Sequence, residues 1–284
     1  MNTAGISNIG RPLDTGYLTN RLIITITLLS FIAFTVNCVL NGQNSYTSLL
    51  TGARYSMTVF LLWAISSELD PDRHWGAFVV VLMSLILLSC GMDISLLPFL
   101  WFLLILRIIN QSSGLPAGPF DSLLIAALGI ILGYTISWIY AATSSAAFLI
   151  DSHLKEPAKY HVQAGIIMFF VSILIVIQMN SVAFETSLEG LYMFALGTVL
   201  FLPIAIKHER FASVGDRTGE VLDPSRIRAT RIMSIIIFLL IALFSPGQSA
   251  SLSKLIFCIF AGLGTYHILN RMIKHTGKLS GKSP

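Results

Sequence analysis

Apolar runs of roughly twenty residues, parted by short polar stretches, follow one another along the whole chain. They cover Leu22–Leu40, Leu49–Ser67, Pro71–Cys90 and Leu96–Ile109, then Ser122–Ile150, Val162–Met179, Leu191–Ile206, Pro224–Phe244 and Leu255–Leu269. An α-helix needs about 20 apolar residues to cross a hydrocarbon core of about 30 Å, so each run is at or near spanning length. The polar breaks carry the turn formers, above all in the segment Gln111–Pro119 with two glycines and two prolines. The pattern predicts an all-α polytopic integral membrane protein with nine to ten transmembrane helices. A single membrane domain is expected over residues 1–284.

The helix number turns on Ser122–Ile150, 29 residues without one charge. As a single helix this stretch would be about 43 Å long at 1.5 Å per residue, too long for the core without strong tilt. As two passes, each would be short. Charge favours the two passes, because Lys and Arg accumulate in cytoplasmic loops. With ten crossings and a cytoplasmic N-terminus, sixteen of the eighteen Lys and Arg fall inside, leaving only Lys254 outside and Arg54 within a span. The first run has no small-residue cleavage site behind it and is expected to persist as a helix.

Short motifs recur in order. Asn44-Ser45, Thr47-Ser48-Leu49, Gly52 and Tyr55 reappear as Asn180-Ser181, Thr186-Ser187-Leu188, Gly190 and Tyr192. Leu69-Asp70-Pro71 with Arg73 reappears as Leu222-Asp223-Pro224 with Arg226, and Ile105-Leu106 through Gly114 as Ile268-Leu269 through Gly277. The recurrence predicts an internal duplication of a four-helix unit. Residues 1–120 form the first repeat unit, 121–160 the linking apolar segment and 161–284 the second repeat unit.

Composition sharpens the class. Hydrophobic residues make up 55% and charged residues 11%, against about a quarter charged in soluble domains, so the bilayer is the solvent for most of the chain. The net charge of +4 is modest. Its cations sit at helix ends, in the loop Lys207–Arg231 and in the C-terminal tail, where anionic lipid headgroups are the expected contact. No basic and aromatic surface suggests nucleic acid. Cys38, Cys90 and Cys258 all lie in apolar runs and read as small fillers.

Candidate chemistry is concentrated in the charged breaks. Asp70-Pro71 and Asp223-Pro224 each pair a good N-cap with a proline suited to the first helical position. The same loops hold two carboxylate clusters, Glu68, Asp70 and Asp72 in one and Asp216, Glu220 and Asp223 in the other. Facing one another, they could ligate a divalent cation, since hard cations take oxygen ligands. Arg54 lies inside the second span, where a cation is costly unless paired. Its expected partners are Glu185 or Glu189 at the corresponding helix end of the second unit, the three forming a substrate-binding or coupling site. Asp121 and Asp151, at the ends of the long apolar stretch, read as helix caps. Of the six histidines only His267 lies deep within a span, and no zinc spacing, nucleophile elbow or P-loop is present.

Gly215-Asp216-Arg217-Thr218-Gly219 resembles a loop motif of major facilitator transporters, although the first half lacks the glycines. The acidic loops resemble in position those of intramembrane aromatic prenyltransferases, without their Asn-Asp motif. Neither likeness extends beyond a loop, and neither assigns a family. The leading expectation is a small secondary transporter or permease in the cell (plasma or inner) membrane, with its site between two repeated helix bundles. The alternative is a membrane-embedded, metal-dependent enzyme acting on a lipid or prenyl diphosphate. A third reading is a non-catalytic scaffold or accessory subunit.

Overall fold

The computed structural model describes residues 7–179, 188–207, 211–244 and 250–279. Ten α-helices run through them: α1 (Leu18–Leu40), α2 (Ser45–Leu69), α3 (His74–Ser89), α4 (Leu96–Asn110), α5 (Pro119–Thr135), α6 (Ile139–Ser152), α7 (His161–Met179), α8 (Leu188–Ala205), α9 (Pro224–Phe244) and α10 (Ala250–Leu279). Six of them, α1, α2 and α7 to α10, are long and apolar enough to cross a membrane. The exposed side chains of α1 and α7 include Leu28, Leu29, Ile32, Ile166, Ile167, Phe169 and Phe170. Such surfaces fit lipid and not water.

α4 is apolar all round and buried nearly all round, from Phe99 through Ile109 apart from Leu100 and Arg107. A helix with no polar face belongs inside a bundle. α2, α5, α6 and α9 pack around it. Elsewhere small residues let backbones meet, as membrane helices require where apolar burial gives no net drive. A Cβ on Gly52 of α2 would stand 2.1 Å from Thr35 Oγ1 of α1, and one on Gly264 of α10 would stand 2.3 Å from the Leu200 carbonyl oxygen of α8.

The long apolar stretch breaks at residues 136–138 and turns back. Ile136 and Ser137 both donate their N–H to the Leu132 carbonyl, and Tyr140 donates to Ser137. Gly129 lies against Ser144 and Gly133 against Ala141, so α5 and α6 form an antiparallel pair. The consequence is topological. The N-terminal segment, the α2–α3, α4–α5, α6–α7 and α8–α9 loops and the C-terminal end of α10 all gather at one end of the bundle. Contacts across that end bear this out: Asn8 N–H to Asp121, Arg217 N–H to the Ser113 carbonyl, and Ala212 N–H to Asp72. Among the described residues this is also the end that carries nearly all the cations.

The pairings of the two halves match in part. α2 packs on α3 and α4 as α8 packs on α9 and α10, and α3 meets α10 as α9 meets α4. The outer members differ, because α1 packs on α2 whereas α7 packs on α6 and α5. Gly114 and Gly277 are not structural equivalents: Gly114 turns the chain with φ +84° after α4, whereas Gly277 lies inside α10. The second Asp-Pro site behaves as expected, with Asp223 Oδ1 accepting the Ser225 N–H at 2.8 Å as α9 starts at Pro224. The first does not. α3 starts only at His74, and Asp70 closes the end of α2.

Candidate functional site

The charged end of the bundle is held by buried carboxylates, of which Glu68, Asp70 and Asp151 each meet a guanidinium. Glu68, in the last turn of α2 and 1% exposed, accepts from Arg107 Nε of α4 at 3.0 Å and from Arg11 Nη1 at 3.4 Å. Asn110 adds bonds to its side chain at 3.1 Å and its carbonyl at 3.0 Å. Arg11 reaches further, to Asp216 of the α8–α9 loop, at 2.5 and 3.1 Å. Burial works against the Arg11 charge, but Glu68 and Asp216 together hold its pKa above the ordinary value.

Asp70 serves two cations in the same way. Arg73 Nη1 lies 3.1 Å from it, and Arg231 Nη2 of α9 3.4 Å. Arg231 is 1% exposed and spends its other donors on the Leu69 and Ile204 carbonyls at 2.7 and 2.8 Å. The α2–α3 loop is tied to the α8–α9 loop once more through Asp72, which accepts from Ser213 N–H at 2.9 Å, Ser213 Oγ at 2.6 Å and Ala212 N–H at 3.0 Å. Partial burial raises the Asp72 pKa, but these three donors outweigh it and leave the carboxyl below its ordinary value.

A third node is centred on Asp151, at the end of α6. Arg226 Nη1 of α9 stands 2.7 Å from one oxygen, and His161 Nδ1 of α7 2.5 Å from the other. Arg226 also donates to the Ile109 carbonyl at 2.9 Å and to the Lys155 carbonyl. His161 Nε2 in turn lies 2.9 Å from Ser122 Oγ. Serine, histidine and aspartate therefore stand in the order of a nucleophile relay. Its setting is structural: His161 and Asp151 are wholly buried, and the Ser122 hydroxyl also donates to the Gly118 carbonyl at 3.1 Å. Asp121 does cap its helix, accepting the Gly118 N–H at 2.9 Å.

The sequence-predicted residues divide accordingly. Both acidic loops do lie on one face, as a shared cation site requires. Yet Glu68, Asp70 and Asp216 turn to arginines, Asp72 to N–H and hydroxyl donors, and Asp223 to the start of its own helix. Glu220 sits exposed in a turn where its carbonyl takes the Gly215 N–H at 2.8 Å. Among the described residues no three His, Cys, Asp or Glu side chains are grouped as metal ligands. Arg54 is exposed on the outer side of α2. Glu189 pairs with Lys254 of α10 at 3.2 Å, and Glu185 lies outside the described residues. The predicted Arg54–Glu189 pair is therefore replaced by Glu189–Lys254. Arg226, Arg231, Asp151 and His161 were not singled out as a site. Their signal lies in Arg226, Arg228 and Arg231, placed in the first eight residues of an apolar span, where an unpaired cation is expensive.

Beside the Asp70 node, at the same end, a cavity of about 490 Å³ lies between α8 and α10. It is lined by Arg73, Lys207, Arg271 and Lys274, with His267, Asn270, Pro203 and Ile206. No carboxylate is among the lining residues. Burial, with Arg73, Arg271 and Lys274 nearby, pushes the Lys207 ammonium below its ordinary pKa, and Asp70 offsets this only in part. The cavity lies just beyond the close approach of the two helices. α8 and α10 touch at Leu200 and Gly264, and one turn later Pro203 cannot extend the helical bonding of α8. His267, Asn270, Arg271 and Lys274, on one stripe of α10, line the cavity together with Pro203 and Ile206 of the α8 side.

No known family, no curated protein and no solved structure matches this chain. Six apolar helices of spanning length make it an integral membrane protein on physical grounds alone.

Proposed function

We propose that this chain is a small permease with ten membrane crossings, which takes an anionic solute at its cation-rich face. The observation that carries the reading is the cavity between α8 and α10, where four cations, a histidine and an asparagine line a space free of carboxylates. Convergent basic side chains cost self-repulsion and desolvation, which an anion offsets. The cavity is wired to the seam between the halves: Arg73 lines it, Asp70 holds Arg73, and Arg231 of α9 holds Asp70. Filling it would therefore load the contact on which the two halves move. The reciprocal pairing of α2–α4 with α8–α10 supports a pseudo-twofold plan of the kind transporters use. The gathering of cations at one end supports a cytoplasmic placement of that end in a plasma or inner membrane, with anionic headgroups around the basic loop and tail.

Proteoliposomes on a solid-supported membrane test this. Jumps of inorganic phosphate, pyrophosphate, citrate or glutamate should give a transient current for at least one anion, and Lys207→Gln with Lys274→Gln should abolish it. Folded protein that gives no current with any of the four defeats the transport reading.

A second reading, an enzyme acting on a lipid or prenyl diphosphate, is favoured by one observation. Asp72 joins the two acidic loops on one face through Ala212 and Ser213. Magnesium would then raise the unfolding temperature, and Glu220→Gln would remove the rise.

A further inference from the structure

The cationic cavity does not end at its polar wall. A second cavity of about 300 Å³ adjoins it and shares Pro203, His267 and Arg271. Its other walls are Ile268 and Met272, so its surface is almost wholly apolar. On α10 these two residues form a stripe one turn apart, next to the stripe of Asn270, Arg271 and Lys274. Ile268 and Met272 are 39% and 61% exposed, and so are their neighbours Leu269 and Ile273, at 52% and 69%. That side of the helix is an exposed apolar surface, of the kind lipid covers. One end of the cleft thus presents positive charge, and the other is walled by apolar side chains beside that surface.

We propose that the paired cavities bind an anionic amphiphile, its headgroup among Arg73, Lys207 and Lys274 and its hydrocarbon chain against Pro203, Ile268 and Met272. A soluble anion would use only the first half of the cleft and leave the apolar slot to solvent or lipid tails. A neutral amphiphile would bring no negative charge to a wall that carries four cations and no carboxylate. The occupant matching both halves carries a phosphate-type headgroup and a chain, and it arrives from the bilayer. Arg271, which lines both cavities, sits at the junction where headgroup and chain join. The inference rests on reading the cationic cavity as an anion site, and it narrows the substrate class.

The test uses the full chain in phosphatidylcholine nanodiscs, with thermal unfolding as the readout. Dioleoyl phosphatidylglycerol, dioleoyl phosphatidic acid and water-soluble glycerol phosphate are the probes. The long-chain lipids should stabilise the protein at a concentration at least tenfold below that needed for glycerol phosphate. Lys207→Gln with Lys274→Gln should weaken all three. Ile268→Trp, which fills the apolar slot, should remove the advantage of the long-chain lipids and leave glycerol phosphate unchanged. Equal binding of lipid and glycerol phosphate would overturn the amphiphile while leaving an anion site in place. Lipid binding untouched by either variant would show only an annular shell and overturn it too. Failure of all three probes, with the protein folded, would defeat both the inference and the anion site beneath it.

Discussion

Asp151 Oδ1 and Arg226 Nη1 stand 2.7 Å apart with both side chains almost fully removed from solvent, and they join α6 to α9 across 75 positions of sequence. Removing two charges from water costs several kcal/mol for each, so such a pair persists only when its other hydrogen bonds are filled. Here they are. Arg226 takes the Ile109 and Lys155 carbonyls, and Asp151 takes His161 and the Ala158 N–H. Breaking one member is therefore worse than removing both. Arg226→Met should cost about 3–5 kcal/mol, whereas Asp151→Asn combined with Arg226→Met should recover part of that loss. Reversible unfolding in detergent, followed by circular dichroism, measures the difference.

The two Asp-Pro sites should separate under the same mutation. Asp223 caps α9, and Asp223→Ala should cost about 1 kcal/mol, the ordinary loss for a cap. Asp70 is 2% exposed and neutralises the buried Arg231. Asp70→Ala strands that cation and should cost about 3 kcal/mol or more. Equal losses at the two sites would show that Asp70 acts only as a cap.

Acid should loosen one loop contact in a defined direction. The Asp72 carboxyl is held below its ordinary pKa by Ser213 and Ala212 against the effect of burial. A folded-state pKa lowered in this way contributes stability at pH values above the unfolded value of about 3.9. That contribution is lost as pH falls through the folded pKa. Asp72→Asn should therefore unfold at a lower temperature than the parent at pH 7. The gap should close as pH drops below about 4.

Single cysteines in a chain lacking Cys38, Cys90 and Cys258 should report the alternating topology. Positions 155 and 213, in the α6–α7 and α8–α9 loops, should be labelled by a membrane-impermeant maleimide from one side only. Positions 42 and 91, in the α1–α2 and α3–α4 loops, should be labelled only from the other. Labelling of 42 and 155 from the same side would refute the antiparallel turn at 136–138.

Arg54 is expected to be nearly silent. It is exposed on the outer side of α2, and Glu189 is engaged by Lys254. An arginine near a helix end in lipid carries its charge to the headgroups along its own stem. Arg54→Gln should change stability by no more than about 0.5 kcal/mol. Glu189→Gln should likewise leave any transport current intact.

What the sequence by itself determined is the solvent and the elements. Uniformly apolar runs at spanning length, one after another, point to a helical bundle in lipid, because intrahelical bonding satisfies the backbone there and barrel strands would alternate in polarity. The expectation that Ser122–Ile150 turns back on itself agrees with the α5–α6 turn, although no glycine or proline marks residues 136–138. The start of α9 at Pro224 was legible because cap and proline act locally. Partnership was not. Asp70 and Asp223 head the same short motif, yet one neutralises Arg231 and the other opens a helix, since only packing brings α9 against the end of α2. Likewise Arg54 and Arg231 both sit inside apolar spans. Tertiary structure left one exposed and buried the other, and charge alone cannot say which, because the cost of a cation in hydrocarbon is met equally by snorkelling or by a carboxylate from elsewhere in the chain.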